Sequence, residues 1–133
     1  MNFWRKTALF SVGGAGYVTL EFLWRGRSHG SMFLLGGVCF LALGQVKRLF
    51  LPLPLRASAG AAVITALELL TGLAVNLDHQ IWDYRSLPLN FRGQICLPYS
   101  LLWIPVSLAG FALYGCTEGA LAPKNPNRGR SAV

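Results

Sequence analysis

The chain has 133 residues, enough for one domain of ordinary size. Charged residues are 13%, against about 25% in a soluble domain, and 53% are hydrophobic. Twelve Lys and Arg against five Asp and Glu give +7. High apolarity excludes a disordered chain, and sparse cations set between apolar runs argue against a nucleic-acid module.

The hydrocarbon core of a bilayer takes about 20 apolar residues in a helix. Four segments approach that requirement. Residues 7–24 form the first, with Glu21 near its end. Residues 31–46 form a short second. Residues 57–75 form the third and hold Glu68, and residues 94–114 form an uncharged fourth. Gly and Ala inside these runs suit membrane helices better than strands. The basic start, Arg5-Lys6, resembles a signal peptide, but no small-residue cleavage pattern follows. The run ends instead in Trp24-Arg25-Gly26-Arg27, and so reads as a retained first helix.

The connections are a short turn at 25–30, a stretch at 47–56 and a long polar and aromatic stretch at 76–93. In the second, Leu51-Pro52-Leu53-Pro54-Leu55 should break a helix. The predicted fold is all-α: a four-helix transmembrane bundle over residues 1–117, with 118–133 as a disordered cytoplasmic tail. Lys and Arg favour the cytoplasmic side of short loops. With the N-terminus inside, Arg5, Lys6, Lys47, Arg48, Arg56, Lys124, Arg128 and Arg130 are inner, and Arg25, Arg27, Arg85 and Arg92 are outer. Both termini are therefore expected in the cytoplasm of a multi-pass cell-membrane protein, with inverted or dual insertion as the alternative. The outer half then holds Glu21, Glu68, Asp78 and Asp83 and nets zero.

A carboxylate within a membrane segment is costly and normally faces a partner or a wet cavity. Glu21, Arg25, Glu68, Asn76, Trp82, Asp83, Asn90, Arg92 and Gln94 are thus expected to converge on one outer polar site. A purely structural account is equally simple. Glu21 pairs with Arg25 one turn away, and Glu68 pairs with Arg92 or accepts hydrogen bonds from Asn76 or Gln94. Trp82 and Tyr84 fit an interfacial aromatic belt, as do Trp4, Trp24 and Trp103. His29 and His79 lack metal-ligand spacing, and Cys39, Cys96 and Cys116 stand apart, so neither metal, cofactor nor disulfide is expected. Gly13, Gly14, Gly16, Gly36 and Gly37 suit close helix packing. Leu20-Glu21-Phe22-Leu23 is similar to Leu67-Glu68-Leu69-Leu70, the trace of a duplicated hairpin or a chance likeness of leucine-rich helices. Phosphate-binding-loop, nucleophile-elbow and H-E-x-x-H patterns are absent.

Several blocks carry a family resemblance. They are Gly16-Tyr17, Glu21-Phe22, Trp24-Arg25-Gly26 with His29, Leu35-Gly36-Gly37, Leu67-Glu68, Thr71-Gly72 and Val75-Asn76. Most specific is Trp82-Asp83-Tyr84 followed by Asn90-Phe91 and Gly93-Gln94-Ile95-Cys96. Over residues 13–104 the chain resembles the CmpB-type putative ABC-transporter permease family of small bacterial membrane proteins. The resemblance implies a permease served by a separate ATPase subunit, with residues 47–56 as the coupling platform. It carries over no catalytic residue. The expected function is a permease-like transport component, not an enzyme, with an outer site for a small solute. It sits in the lipid bilayer as a homo-oligomer or with its ATPase, and binds no nucleic acid. A non-catalytic subunit or scaffold is the alternative. A lipid-headgroup enzyme using Asp83 or Glu68 as acid or base is the third reading.

Overall fold

The computed structural model describes residues 3–26 and 29–122. It is all-α apart from one small hairpin. The elements are α1 (Phe3–Arg25), α2 (Gly30–Val46), α3 (Leu53–Val75), β1 (Asn90–Phe91), β2 (Ile95–Cys96) and α4 (Leu97–Leu121). The four expected segments are all helical over most of their length, but their ends move. The prolines at 52 and 54 start α3 instead of merely interrupting the chain: Pro52 is its N-cap and Pro54 lies in its first turn. A first-turn proline lacks only an N–H that has no helical acceptor there. α4 begins at Leu97, because residues 94–96 belong to the hairpin and its turn. It then runs through Pro105 to Leu121, so Glu118–Leu121 are helix and not tail. The rest of the expected tail, 123–133, lies outside the described residues.

Among the described residues two helices are long and apolar enough to cross a membrane: α3, with mean hydropathy 1.7, and α4, with 1.4. α2 is apolar but has 17 residues, at the lower limit for a span. α1 ends cleanly at Gly26, whose φ of 73° lets its N–H close on Phe22 O at 3.0 Å. α2 is started by His29, whose Nδ1 accepts from the Ser31 N–H at 3.1 Å.

α1 packs on α2, and α3 on α4, with α2 central to the core. Met32, Leu35, Cys39 and Leu43 of α2 meet Ala61 and Ile64 of α3 and Trp103 and Phe111 of α4. The first crossing depends on absent side chains. A Cβ on Gly36 would strike Tyr17 Cβ and come within 2.9 Å of Gly13 O, and one on Gly13 would strike Phe40. Gly14 and Gly37 face Phe33 and Phe10 in the same way. Trp4 and Trp24 are exposed, as an aromatic belt needs, but Trp82, Tyr84 and Trp103 are buried. The belt reading fails for these three because each packs into the core beneath the long loop.

The glycines differ in what they predict. Gly36→Ala overpacks the α1–α2 crossing and should cost about 1–3 kcal/mol. Gly16 has nothing within 4 Å of its would-be Cβ. Gly16→Ala should therefore stabilise the helix by about 0.8–1 kcal/mol. Thermal unfolding in detergent reads both, with opposite signs expected.

Candidate functional site

The long connection is tied down where α3 ends. The Asn76 N–H donates to Gly72 O at 2.8 Å, closing the helix. The Asn76 side chain then serves the loop. Its Nδ2 donates to Trp82 O at 2.7 Å and to Gln94 Oε1 at 2.9 Å. Its Oδ1 accepts from Ile81 N at 2.9 Å and Trp82 N at 3.3 Å. Gln94 Nε2 returns a bond to Asn76 O at 2.9 Å, and Trp82 Nε1 donates to Gln94 O at 2.8 Å. Asn76, Trp82 and Gln94 are all essentially inaccessible. Gly72 leaves the room: a Cβ there would collide with Gln94 Oε1.

Between these anchors the chain makes a tight hairpin, pairing Asn90 with Cys96 and Phe91 with Ile95. Gln94 N donates to Phe91 O at 3.0 Å across a turn whose central residues, Arg92 and Gly93, both have positive φ. That backbone suits a hairpin turn of the primed class. Asn90 braces it, with Nδ2 donating to Leu87 O at 2.9 Å and Oδ1 accepting from Gly93 N at 3.1 Å. Tyr84 N donates to Gly93 O at 3.0 Å. These bonds hold an extended stretch in which Trp82 and Tyr84 point in and Asp83 points out, the alternation of extended backbone.

Tyr84 carries the loop to the buried acid. Its hydroxyl donates to Glu68 Oε2 at 3.2 Å and accepts from Arg25 NH2 at 3.2 Å. Arg25 Nε lies 3.5 Å from Glu21 Oε2, the expected pair one turn apart. The Arg25 guanidinium also lies 5.6 Å from the Tyr84 ring centre. On the far side Tyr84 stacks on Tyr99 of α4, at 4.8 Å and 12°. Trp24 Nε1 donates to Tyr99 Oη at 2.9 Å. Burial, and after it the Glu68 carboxylate, push the Tyr84 phenol up, so that it stays protonated and donates. Glu68 is 1% exposed, and its Oε1 has no hydrogen-bond partner among the described residues. The Trp103 indole lies beside that carboxylate, yet its Nε1 completes no hydrogen bond.

The nine residues expected at one site thus divide. Glu21, Arg25 and Glu68 are brought together through Tyr84. Asn76, Trp82 and Gln94 form a closed frame beside them. Glu68 does not pair with Arg92, nor does it accept from Asn76 or Gln94, whose bonds go to each other and to the loop backbone. Asn90 and Arg92 are exposed in the hairpin, and Arg92 lies 5.7 Å from the Phe91 ring centre. Asp83 is exposed and takes a bidentate grip from Arg85, at 2.9 and 2.7 Å. Those hydrogen bonds hold its carboxyl down at about 2. The sequence reading missed Tyr84 and Tyr99 as members of the polar system. The Trp82-Asp83-Tyr84 alternation was the available signal.

Glu21 also borders a cleft of about 320 Å³, where His29, Asp78 and Gln80 face Met32, Val75 and Ile81. Polar groups therefore run from this cleft through Glu21, Arg25 and Tyr84 to Glu68. A second cavity of about 280 Å³ opens between α1 and α4, with an apolar lining that includes Val12, Leu20, Val106 and Leu113. Among the described residues no group of three or more His, Cys, Asp or Glu is placed to hold a metal.

A family model described as "Putative ABC-transporter type IV" matches residues 12–121. No curated protein and no solved structure matches.

Tyr84→Phe keeps the stacking on Tyr99 and removes one hydroxyl from between Glu68 and Arg25. It should lower stability by about 1–3 kcal/mol, the cost of leaving buried partners unsatisfied, as read by thermal unfolding in detergent. Asp83 carries a different expectation. In the folded protein its carboxyl should titrate near 2 by NMR, and Arg85→Gln should return it toward the ordinary range of about 3.9. Since the folded value is the lower one, any stability from this pair is present above about pH 4 and is lost as pH falls toward 2.

Proposed function

Since the chain belongs to the family described as "Putative ABC-transporter type IV", we propose that it is the permease-like membrane component of a transport system, non-catalytic in itself. All four helices cross the cell membrane, with both termini in the cytoplasm and the 76–93 loop outside. The distribution of Lys and Arg supports this orientation. The sequence contains no phosphate-binding loop, so ATP hydrolysis falls to a separate subunit. The turn between α2 and α3, with Lys47 and Arg48, together with Arg56 at the start of α3, is the platform for it. Four helices make a small transport core, and a second copy or another membrane subunit completes the path.

One observation carries the reading. Among the described residues one Glu68 carboxylate oxygen, beside the Trp103 indole, completes no hydrogen bond, and a polar route through Tyr84, Arg25 and Glu21 leads from Glu68 to an open cleft. A carboxylate kept only for structure gains from full satisfaction of both oxygens. Glu21, Arg25 and Glu68 are therefore the solute-handling groups. Asn76, Trp82, Asp83, Asn90, Arg92 and Gln94 shape the loop above them. The closed hydrogen bonding of Asn76, Trp82 and Gln94 favours a second reading, a scaffold whose polar cluster only locks the loop.

The two readings part on Glu68→Gln. Uptake by intact cells of labelled amino acids, organic cations and organic anions should fall for at least one solute when the gene is deleted. The wild-type chain should restore it, and Glu68→Gln at equal membrane abundance should not. Restoration by Glu68→Gln together with a lowered unfolding temperature in detergent would leave the scaffold reading.

A further inference from the structure

At the other end of the bundle, the ends of α1, α2 and α4 leave a cleft of about 530 Å³. Its polar lining is Lys6, Gln45, Arg48 and Tyr114, and its apolar lining is Val38, Leu41 and Ala42. Along α2 the two kinds of lining separate. Val38 lies seven residues before Gln45, about 10 Å down the helix axis. The cleft is cationic at one end and apolar at the other.

Cations outnumber acids around it. Lys6, Lys47, Arg48 and Arg56 gather at this end, and the described residues there supply one acid, Glu118. Glu118 Oε2 meets Arg48 NH2 at 3.3 Å, with the Arg48 side chain exposed and that of Glu118 half-buried. The Lys6 side chain makes no hydrogen bond or ion pair among the described residues. An ammonium and a guanidinium thus line the mouth of an apolar slot, and the guanidinium has only a solvent-accessible carboxylate to release.

We infer that this cleft binds an anionic phospholipid, with the phosphate between Lys6 and Arg48 and an acyl chain along Val38, Leu41 and Ala42. A free anion would leave the apolar lining unused. A zwitterionic lipid brings a cation of its own beside Lys6. An anionic lipid satisfies both halves, and juxtamembrane cations draw such lipids with an energy that falls off within a Debye length. Glu118 competes with the phosphate for Arg48. The site requires that the bundle lie in a bilayer and does not depend on transport.

The test is native mass spectrometry of the full chain in neutral detergent with equimolar phosphatidylglycerol and phosphatidylcholine. Phosphatidylglycerol adducts should dominate. Lys6→Gln and Arg48→Gln should each cut the preference about fivefold, Arg48→Lys should keep it, and Glu118→Gln should raise it. Lys6→Gln removes no bond among the described residues, so an unchanged unfolding temperature certifies its fold. Equal adducts for the two lipids, or a ratio unmoved by Lys6→Gln, would overturn the site. Stripping of phosphatidylglycerol by inorganic phosphate at matched ionic strength would reassign the cleft to a free anion and also overturn it.

Discussion

A carboxylate enclosed by apolar helices must be met by donors brought from elsewhere in the chain, and most of this molecule follows from how Glu68 is met. The donor is Tyr84, and a loop residue can reach a helix interior only if its loop folds inward. The inward fold needs Asn76 and Gln94 to take over the backbone groups that water would otherwise satisfy. Those two amides in turn need Gly72, because any side chain there would occupy the place of Gln94. Arg25 completes the sequence by balancing Glu21 and bonding the same hydroxyl. One buried acid thus accounts for a helix cap, a hairpin, a glycine and a link between α1 and α3.

How much of this was legible varies by the kind of signal. Helix positions were readable because long apolar runs leave few alternatives. The Glu21–Arg25 pair was readable because spacing on one helix determines proximity. The packing of Gly13 and Gly36 was readable from composition. The ends were harder, since Pro52 and Pro54 carry the same letters whether they break a helix or begin one. The partner of Glu68 was not readable at all. It lies sixteen residues away on a loop whose path depends on side-chain amides bonding to backbone. A rule for aromatics at membrane interfaces assigned Trp82 and Tyr84 to the surface. It fails where a loop folds back, because the same amphipathic ring then points its polar tip at an internal partner.

The two ends of the bundle are chemically opposite. At the loop end, Glu21 pairs with Arg25 and Asp83 with Arg85, and most polar groups have partners within the protein. At the other end, cations accumulate around an open cleft, with Glu118 as the one carboxylate there among the described residues. Under the proposed transport function the first arrangement would meet a solute with groups fixed in advance, and preorganisation keeps the ordering cost low. The second is fitted to a surface of diffuse negative charge, where long mobile side chains suffice. The overall +7 is thus unevenly shared, with the excess of cations at the end away from the long loop.

The Asn76–Gln94 bond spans eighteen residues, whereas the Arg25–Tyr84 bond spans fifty-nine. Closing the longer loop carries the larger entropic cost, at about 0.6 kcal/mol per doubling. The unit of α3, loop and α4 can therefore assemble as one piece before the α1–α2 hairpin docks on it. During synthesis, however, α1 emerges first and Arg25 must wait for a tyrosine not yet made. Glu21, four residues earlier on the same helix, needs no later part of the chain to be in place. Of the partners the arginine has in the finished fold, Glu21 is thus available before Tyr84 is made.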